Sequence, residues 1–380
     1  MTQLETLIQT LCPNGVKFVK LGDCCQILDS QRRPITKSQR EAGEYPYYGA
    51  NGIQDYVADY IFDGVFLLVG EDGSVLTPNG NPVVTWAEGK IWVNNHAHIL
   101  AGTEIARLRF LFYVLQTLNI SHLVHGNIPK LTKKDLQELQ IPLPPLAVQS
   151  EIVRVLDKFT LHKAELAAEL AARLQQYEYY RDQLLTFDDT VKRVKLGEVG
   201  KICMCKRILK SETNTVKGIP FYKIGTFGRT PDAYISEELF EEYKNKYNYP
   251  LKGQILISAS GTIGRTVIFD GEPAYFQDSN IIWIDNREEL VLNKFLYYYY
   301  QLQPWNVSTG GTIARLYSYN IENAVIPIPS LEVQERIVSI LDRFDKLCHD
   351  IREGLPAEIE LRQKQYEHYR DKLLTFEAKG

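Results

Sequence analysis

The sequence predicts an α+β chain built as two mixed α/β domains, each followed by a long helix, on an internal repeat. Three observations predict it: a gapless self-similarity, two apolar seams of helical spacing, and short β-prone runs confined to the stretches between them.

The repeat decides the architecture before any single motif does. Residues 110–159 align with residues 295–344 at a constant offset of 185, and 18 of those 50 positions are identical, which chance does not produce. The strongest block is IPLPPLAVQSEIVRVLDKF from Ile141 against IPIPSLEVQERIVSILDRF from Ile326. In each, prolines close one unit and an apolar periodic run opens, so a helix starts there twice. QYEYYRDQLLTF (residues 176–187) matches QYEHYRDKLLTF (365–376), and VKFVKLGD (16–23) matches VKRVKLGE (191–198). The predicted order is a domain over residues 1–148, a helix over 149–187, a second domain over 188–332 and a second helix over 333–380. Weaker echoes lie inside the domains: LLVGEDGSV from Leu67 answers ILISASGTIG from Ile255, and NNHAHIL from Asn94 sits where FQDSNII begins at Phe276. A retained scaffold around divergent interiors points to two modules of different specificity on one frame.

The first helix carries Ile152, Leu156, Phe159, Leu166, Leu170, Tyr177 and Leu184 at coiled-coil spacing, with Lys163 intruding on the seam. The second carries Ile337, Leu341, Phe344, Cys348, Ile351, Leu355, Ile359, Tyr366, Tyr369 and Leu373. A helix over residues 149–187 would be roughly 57 Å long and stable only against a partner. The two helices are each other's partner by repetition, although a bundle core or a zipper between two copies would carry the same stripes. Gly354 and Pro356 predict a kink or short break in the second helix.

Between the helices the composition shifts to β-prone runs, VFLLVG, KIWVNN, QILISAS and RTVIFDG, separated by Gly, Asn, Asp and Pro. The aromatic runs at residues 110–118 and 295–302 predict helices beneath the sheets. Four loops have the chemistry of base contact: residues 47–52, 94–98, 125–130 and 258–266. Asn can bond bidentately to adenine and Arg or Lys to guanine, while Gly lets backbone approach a groove. The candidate DNA-contacting residues are Tyr48, Gly49, Asn51, Asn94, Asn95, His96, Asn127, Lys130, Lys223, Ser260, Thr262, Arg265 and Arg315. Gly-Asn loops also serve as plain hairpin turns.

Catalytic readings fare worse. Pro231-Asp232 followed by Glu242-Tyr243-Lys244 imitates a magnesium nuclease motif, but SEELFEEYKNK reads as a solvated acidic helix rather than a central strand. SASGTIGRT has Ala259 and Arg265 where a phosphate-binding loop needs Gly and Lys. His96 and His98, with His122 and His125, show no matching carboxylate pattern for a metal; alternation on a strand would point the first two to one face. No (D/N)PP(Y/F) tetrapeptide and no glycine-rich strand-to-helix loop for S-adenosylmethionine is present. Six irregularly spaced cysteines read as reduced thiols, and no apolar run approaches the ~20 residues of a membrane span, so a cytoplasmic location is expected. The net charge of −4 is unusual for a protein that grips nucleic acid alone, so either the cations are segregated or partners help.

The tandem IPLPP…VQ…I…LD helix starts, the paired QYEYYRD.LL helix ends, and the strings YPYYGANGI, LLVGEDGS and WVNNHAH together resemble the specificity subunits of type I restriction-modification enzymes, over nearly the whole chain. The resemblance implies two target-recognition domains related by a pseudo-twofold repeat, separated by the two helices as an antiparallel coiled coil. It implies recognition of a bipartite, asymmetric double-stranded DNA target, with no catalytic residue, metal or cofactor on this chain. Methyltransferase subunits would bring S-adenosylmethionine and adenine methylation, and a restriction subunit ATP, Mg and cleavage. The competing expectation is a coiled-coil adaptor that assembles other proteins without touching DNA.

Overall fold

The chain folds as two units, Met1–Ala167 with Glu358–Gly380, and Ala168–Ala357, each closing on its own cores. The computed structural model describes residues 3–305, 315–350 and 352–379; the seam position expected at Ile351 lies outside them.

In unit 1 a six-stranded sheet runs, edge to edge, Gln26–Ile27, Ala97–Ala101, Phe62–Gly70, Val84–Val93, Ala42–Gly49 and Gly52–Val57. Neighbours are antiparallel except Ala42–Gly49 beside Val84–Val93, where Tyr47 pairs with Trp92 and Tyr48 with Val93 in parallel. From Phe66 onward the VFLLVG run is continuously apolar because both faces of its strand are covered there. Leu67 and Val69 join a core with Phe110, Leu111 and Ile152, while Phe66 and Leu68 join another with Ile91, Val93 and Ile99. The first repeated block forms Lys17–Lys20, which pairs antiparallel with Gln140–Leu143 and so brings VKFVKLGD against IPLPP.

Unit 2 repeats this logic with shorter strands. One sheet orders Lys201–Met204, Ile281–Asp285, Ile255–Ser258 and Thr266–Ile268, and another orders Tyr234–Ile235, Ile219–Tyr222 and Tyr275–Phe276. Ile255 and Ile257 face the core of Phe295 and Leu296, while Leu256 and Trp283 face Phe221 and Phe276 on the other side. Arg193–Lys195 pairs with Val325–Pro327, the counterpart of the two-stranded contact in unit 1.

The long helix runs Leu146–Leu184, its first turns in unit 1 and its last in unit 2. In unit 1 Phe159 stacks on Tyr369 (5.3 Å between ring centroids), and Lys163 donates from Nζ to Gln363 (2.8 Å) with the Tyr366 ring 5.9 Å away. In unit 2 Tyr177 meets His349 edge-on and Tyr180 stacks on Phe344. Numbers rise on one helix as they fall on the other, so the pairing is antiparallel in each unit. Lys163 sits on the seam because its stem packs while its ammonium finds an amide. The expected interruption is there: the partner is two helices, Leu331–His349 and Leu355–Leu374. A Cβ on Gly354 would lie 2.5 Å from the Lys346 carbonyl oxygen and 2.7 Å from that of Asp350, and Pro356 falls in the first turn, where its missing N–H costs nothing.

A buried glutamine ties each long helix to its sheet-capping segment. Gln149 accepts from the Arg107 N–H (2.9 Å) and donates to the Ile105 (3.0 Å) and Pro144 (2.8 Å) carbonyls; Gln334 does the same with Leu292 (2.8 Å), Leu290 (3.0 Å) and Pro329 (2.9 Å). Neither glutamine is exposed. Replacing Gln149 by Leu keeps the volume but strands one donor and two acceptors, so urea denaturation is expected to show a loss of about 2–4 kcal/mol. A loss under 1 kcal/mol would show that these groups rehydrate.

The six cysteines are free and buried, and burial pushes the Cys25 and Cys205 thiols up to about 12, which keeps them from acting as thiolates at neutral pH. Among the described residues no helix is long and apolar enough to cross a membrane.

Candidate nucleic-acid interface

Unit 1 gathers three distant segments by backbone bonds alone. The Glu71 N–H donates to the His96 carbonyl (2.8 Å), the Leu131 N–H to the Glu71 carbonyl (2.8 Å) and the Gly73 N–H to the Pro129 carbonyl (3.0 Å). The turn that carries Asp72 closes with the Val75 N–H on the Gly73 carbonyl (3.0 Å), and it needs Gly73 because its φ is +75°. The hairpin end at residues 49–52 joins through the Asn94 N–H, which donates to the Tyr48 carbonyl (3.0 Å). Asn94 then shapes its own loop, accepting from the His96 N–H (2.8 Å) and donating to Gln54 (3.3 Å).

On this frame His96 bonds through Nδ1 to Asp72 (2.5 Å), and Lys130 lies 3.2 Å from Glu71. Beneath them is a buried ion network. His98, fully buried, meets Asp29 at Nδ1 (2.6 Å) and the Leu131 carbonyl at Nε2 (2.9 Å), and Arg32 bridges Glu71 (2.5 Å) and the Ala97 carbonyl (2.8 Å). Burial alone would raise the Asp29 carboxyl, but the hydrogen bond and charge of His98, the Ile99 N–H and Arg32 outweigh it and hold it below the usual carboxylate range. Asp29, Glu71 and His98 bring three possible metal-binding atoms within 4.8 Å of one another. Arg32 already pairs with both carboxylates, Lys130 with Glu71, and both His98 nitrogens are engaged, so the cluster works as an ion-pair network that braces the loops.

Unit 2 builds the same frame from a different sequence. The Ala259 N–H donates to the Asn280 carbonyl (2.8 Å), the Leu316 N–H to the Ala259 carbonyl (2.9 Å), and the Ile263 N–H to the Gly261 carbonyl (3.0 Å), with Gly261 at φ +66°. Ser260 donates to the Asn280 side-chain oxygen (2.8 Å). Arg265 donates to the Phe227 carbonyl (3.0 Å), Arg315 to the Ser279 carbonyl (2.7 Å), and the turn after Lys223 is held by the Ile224 N–H on Gln277 (2.9 Å). Lys223 itself pairs with Asp232 (2.8 Å). Arg207, Lys210, Asn214, Lys223, Gln277 and Asp278 line a cleft of about 540 Å³.

The structure thus brings together Asn94, Asn95, His96 and Lys130 with the Tyr48–Gly49 strand end in unit 1, and Lys223, Ser260, Arg265 and Arg315 in unit 2. Asn51, Asn95, His96, Asn127, Lys130 and Thr262 are exposed, whereas Tyr48, Gly49 and Asn94 are buried and hold the frame. Direct contact expected from the Tyr48 and Asn94 side chains and from the Gly49 backbone conflicts with their burial: Asn94 spends its amide within the loop, and the Gln54 side chain lies against Gly49. The two histidines do not share a face, because His96 precedes the Ala97–Ala101 strand while His98 lies within it. The carboxylates missing from the local sequence come from Asp29, Glu71 and Asp72. The phosphate-loop reading fails structurally too, since residues 258–266 turn between two antiparallel strands with no helix following. Sequence reasoning passed over Arg207 and Lys210, which sit in KRILK just after a repeated VK.VKLG block; QRRPITK follows the other copy. Cations recurring after both copies was the available signal.

The Type I restriction modification DNA specificity domain matches residues 13–176 and again residues 188–361. A protein of Haemophilus influenzae described as a type I restriction enzyme specificity subunit is 52% identical over 384 residues, covering 99% of this chain and 98% of that protein. The type I restriction enzyme EcoR124I/EcoR124II specificity subunit of Escherichia coli is 35% identical over 291 residues, 71% of each. In fold, the chain is similar to the crystal structure of a type I restriction-modification system S subunit from M. genitalium, with a TM-score of 0.59, 16% identity, and coverage of 95% of this chain and 96% of that one.

Proposed function

This chain belongs to the type I restriction modification DNA specificity family, as a type I restriction enzyme specificity subunit, and from that premise we propose that it reads a bipartite, asymmetric double-stranded DNA target, one half-site per unit. The observation that carries the reading is the common frame: both units hold the same backbone bonds and present different side chains on them. Two half-sequences need two readers of one geometry and unlike chemistry.

On this reading the exposed Asn51, Asn95, His96 and Asn127 of unit 1, and the half-buried Ser260 and exposed Thr262 of unit 2, meet base edges. Lys130, Lys223, Arg265 and Arg315 meet phosphates, and Arg265 and Arg315 are already oriented by backbone carbonyls. Methyltransferase subunits with S-adenosylmethionine methylate adenine at the chosen site, and a restriction subunit with ATP and Mg cleaves; this chain supplies the address, in the cytoplasm. Their cationic surfaces would complement the net charge of −4.

The test is selection from a randomised duplex pool by the full chain with its methyltransferase partner. Enrichment of two short sequences at a constant gap supports the reading, and recovery of unselected DNA overturns it. In the same complex, Lys130→Ala or Arg315→Ala should weaken binding to all sequences alike and lower the slope of log affinity against log salt by about 1 each. A changed base preference with an unchanged slope would move those residues from phosphate to base.

A further inference from the structure

We propose that residues 72 and 96 of unit 1 and residues 260 and 280 of unit 2 are matched specificity pairs, the same two positions of one frame carrying opposite hydrogen-bonding polarity. The inference rests on the reading of both units as DNA readers and names the positions at which they differ.

The match is geometric. Glu71 and Ala259 each donate to the carbonyl of the second pair member and each accept from the leucine that follows the basic residue, Leu131 after Lys130 and Leu316 after Arg315. Glycine follows the first pair member in both, with φ of +75° and +66°, and the turn closes on it by a 3.0 Å bond in both. Across this frame the side chains of each pair bond to one another, His96 to Asp72 at 2.5 Å and Ser260 to Asn280 at 2.8 Å. A bonded pair is a fixed pair, so its remaining polar atoms are pre-oriented.

Those remaining atoms differ in kind. A carboxylate only accepts, so the His96 Nδ1–H is given to Asp72, and in the neutral imidazole Nε2 is left as an acceptor; the His96 side chain is 47% exposed. In the major groove an acceptor selects the amino groups of adenine and cytosine. The Ser260 hydroxyl donates to the Asn280 oxygen, which leaves the Asn280 amide N–H groups as donors. Donors select guanine or thymine oxygens and purine N7. Glu71 in one unit and Ala259 in the other fit the same contrast, since the charged pair stands over the ion network of Arg32 and the neutral pair over an apolar residue.

The experiment repeats the duplex selection with the full chain and its methyltransferase partner, using D72S/H96N and the reciprocal S260D/N280H. Absence of any selected sequence with the unmodified chain would defeat the reading of the units as DNA readers, independently of the pairs. With a selected site in hand, D72S/H96N is expected to change preference roughly tenfold at one or two adjacent base pairs of a single half-site, away from adenine or cytosine on the contacted strand. The other half-site and the gap should stay unchanged. S260D/N280H should do the same in the other half-site. Unchanged preferences, changes in both half-sites, or uniform weakening without a change of preference would each overturn the pairing. If a thermal melt shows D72S/H96N to be unfolded, His96→Gln is judged by the same criteria.

Discussion

Replacing Asp29 by Ala is expected to cost unit 1 about 3–5 kcal/mol, because it removes one of the two anions of a buried network and leaves Nδ1 of the fully buried His98 and the Ile99 N–H without the carboxylate they meet. On a unit of this size that corresponds to a fall in melting temperature of roughly 10 °C. Hydrogen exchange should show the Ala97–Ala101 strand losing protection while Ile281–Asp285 in unit 2 keeps it. Asp29→Asn, which can still accept from Ile99, should cost less. The pH dependence has a definite sign. The folded Asp29 carboxyl is held below its ordinary value, so its contribution is complete above the ordinary carboxylate range and is lost as pH falls through the depressed one. The unmodified chain should therefore lose unit 1 protection on acidification more steeply than Asp29→Asn. Equal acid sensitivity of the two would show that the network adds nothing to stability.

Inserting four residues after Ala171 in the long helix is expected to abolish most methylation at the natural target while creating activity on targets whose half-sites lie one or two base pairs farther apart. Leu146–Leu184 is one uninterrupted helix of 39 residues, and four added residues lengthen it by ~6 Å while turning it by little more than a full turn. Two or three residues would rotate the seam and detach Phe159 or Tyr177 from its partners, so those insertions should lose activity on every spacing. Mapping methylated adenines with the four-residue variant measures the gap directly. An unchanged gap at full activity would show that the helix does not set the half-site spacing.

The parts of the protein legible in the sequence are those that local chemistry dictates. The repeat follows from comparing the chain with itself at an offset of 185 residues, while the helix starts after IPLPP and IPIPS, the Lys163 intrusion and the break near Gly354 follow from spacing within a few turns, and the structure contains each of them. The apolar runs VFLLVG and QILISAS announced strands, and their lack of alternation already carried the information that both faces are covered. The N-terminal helix Gln3–Leu11 is not among the expected elements, although its apolar residues Leu4, Leu7, Ile8 and Leu11 recur at helical spacing after a Thr-x-x-Glu start. What only the tertiary structure decided is the site. Asp29, Glu71, His98 and Leu131 meet across up to about a hundred residues of chain, and no periodicity links them. The shared frame is invisible for a second reason: it is made by backbone N–H and carbonyl groups, which every residue carries, so Glu71 and Ala259 can occupy the same place with nothing in common in their side chains. Sequence alone determined that there are two modules on two helices; folding decided which side chains of each module stand together, because that choice is made by long-range backbone pairing rather than by the residues that benefit from it.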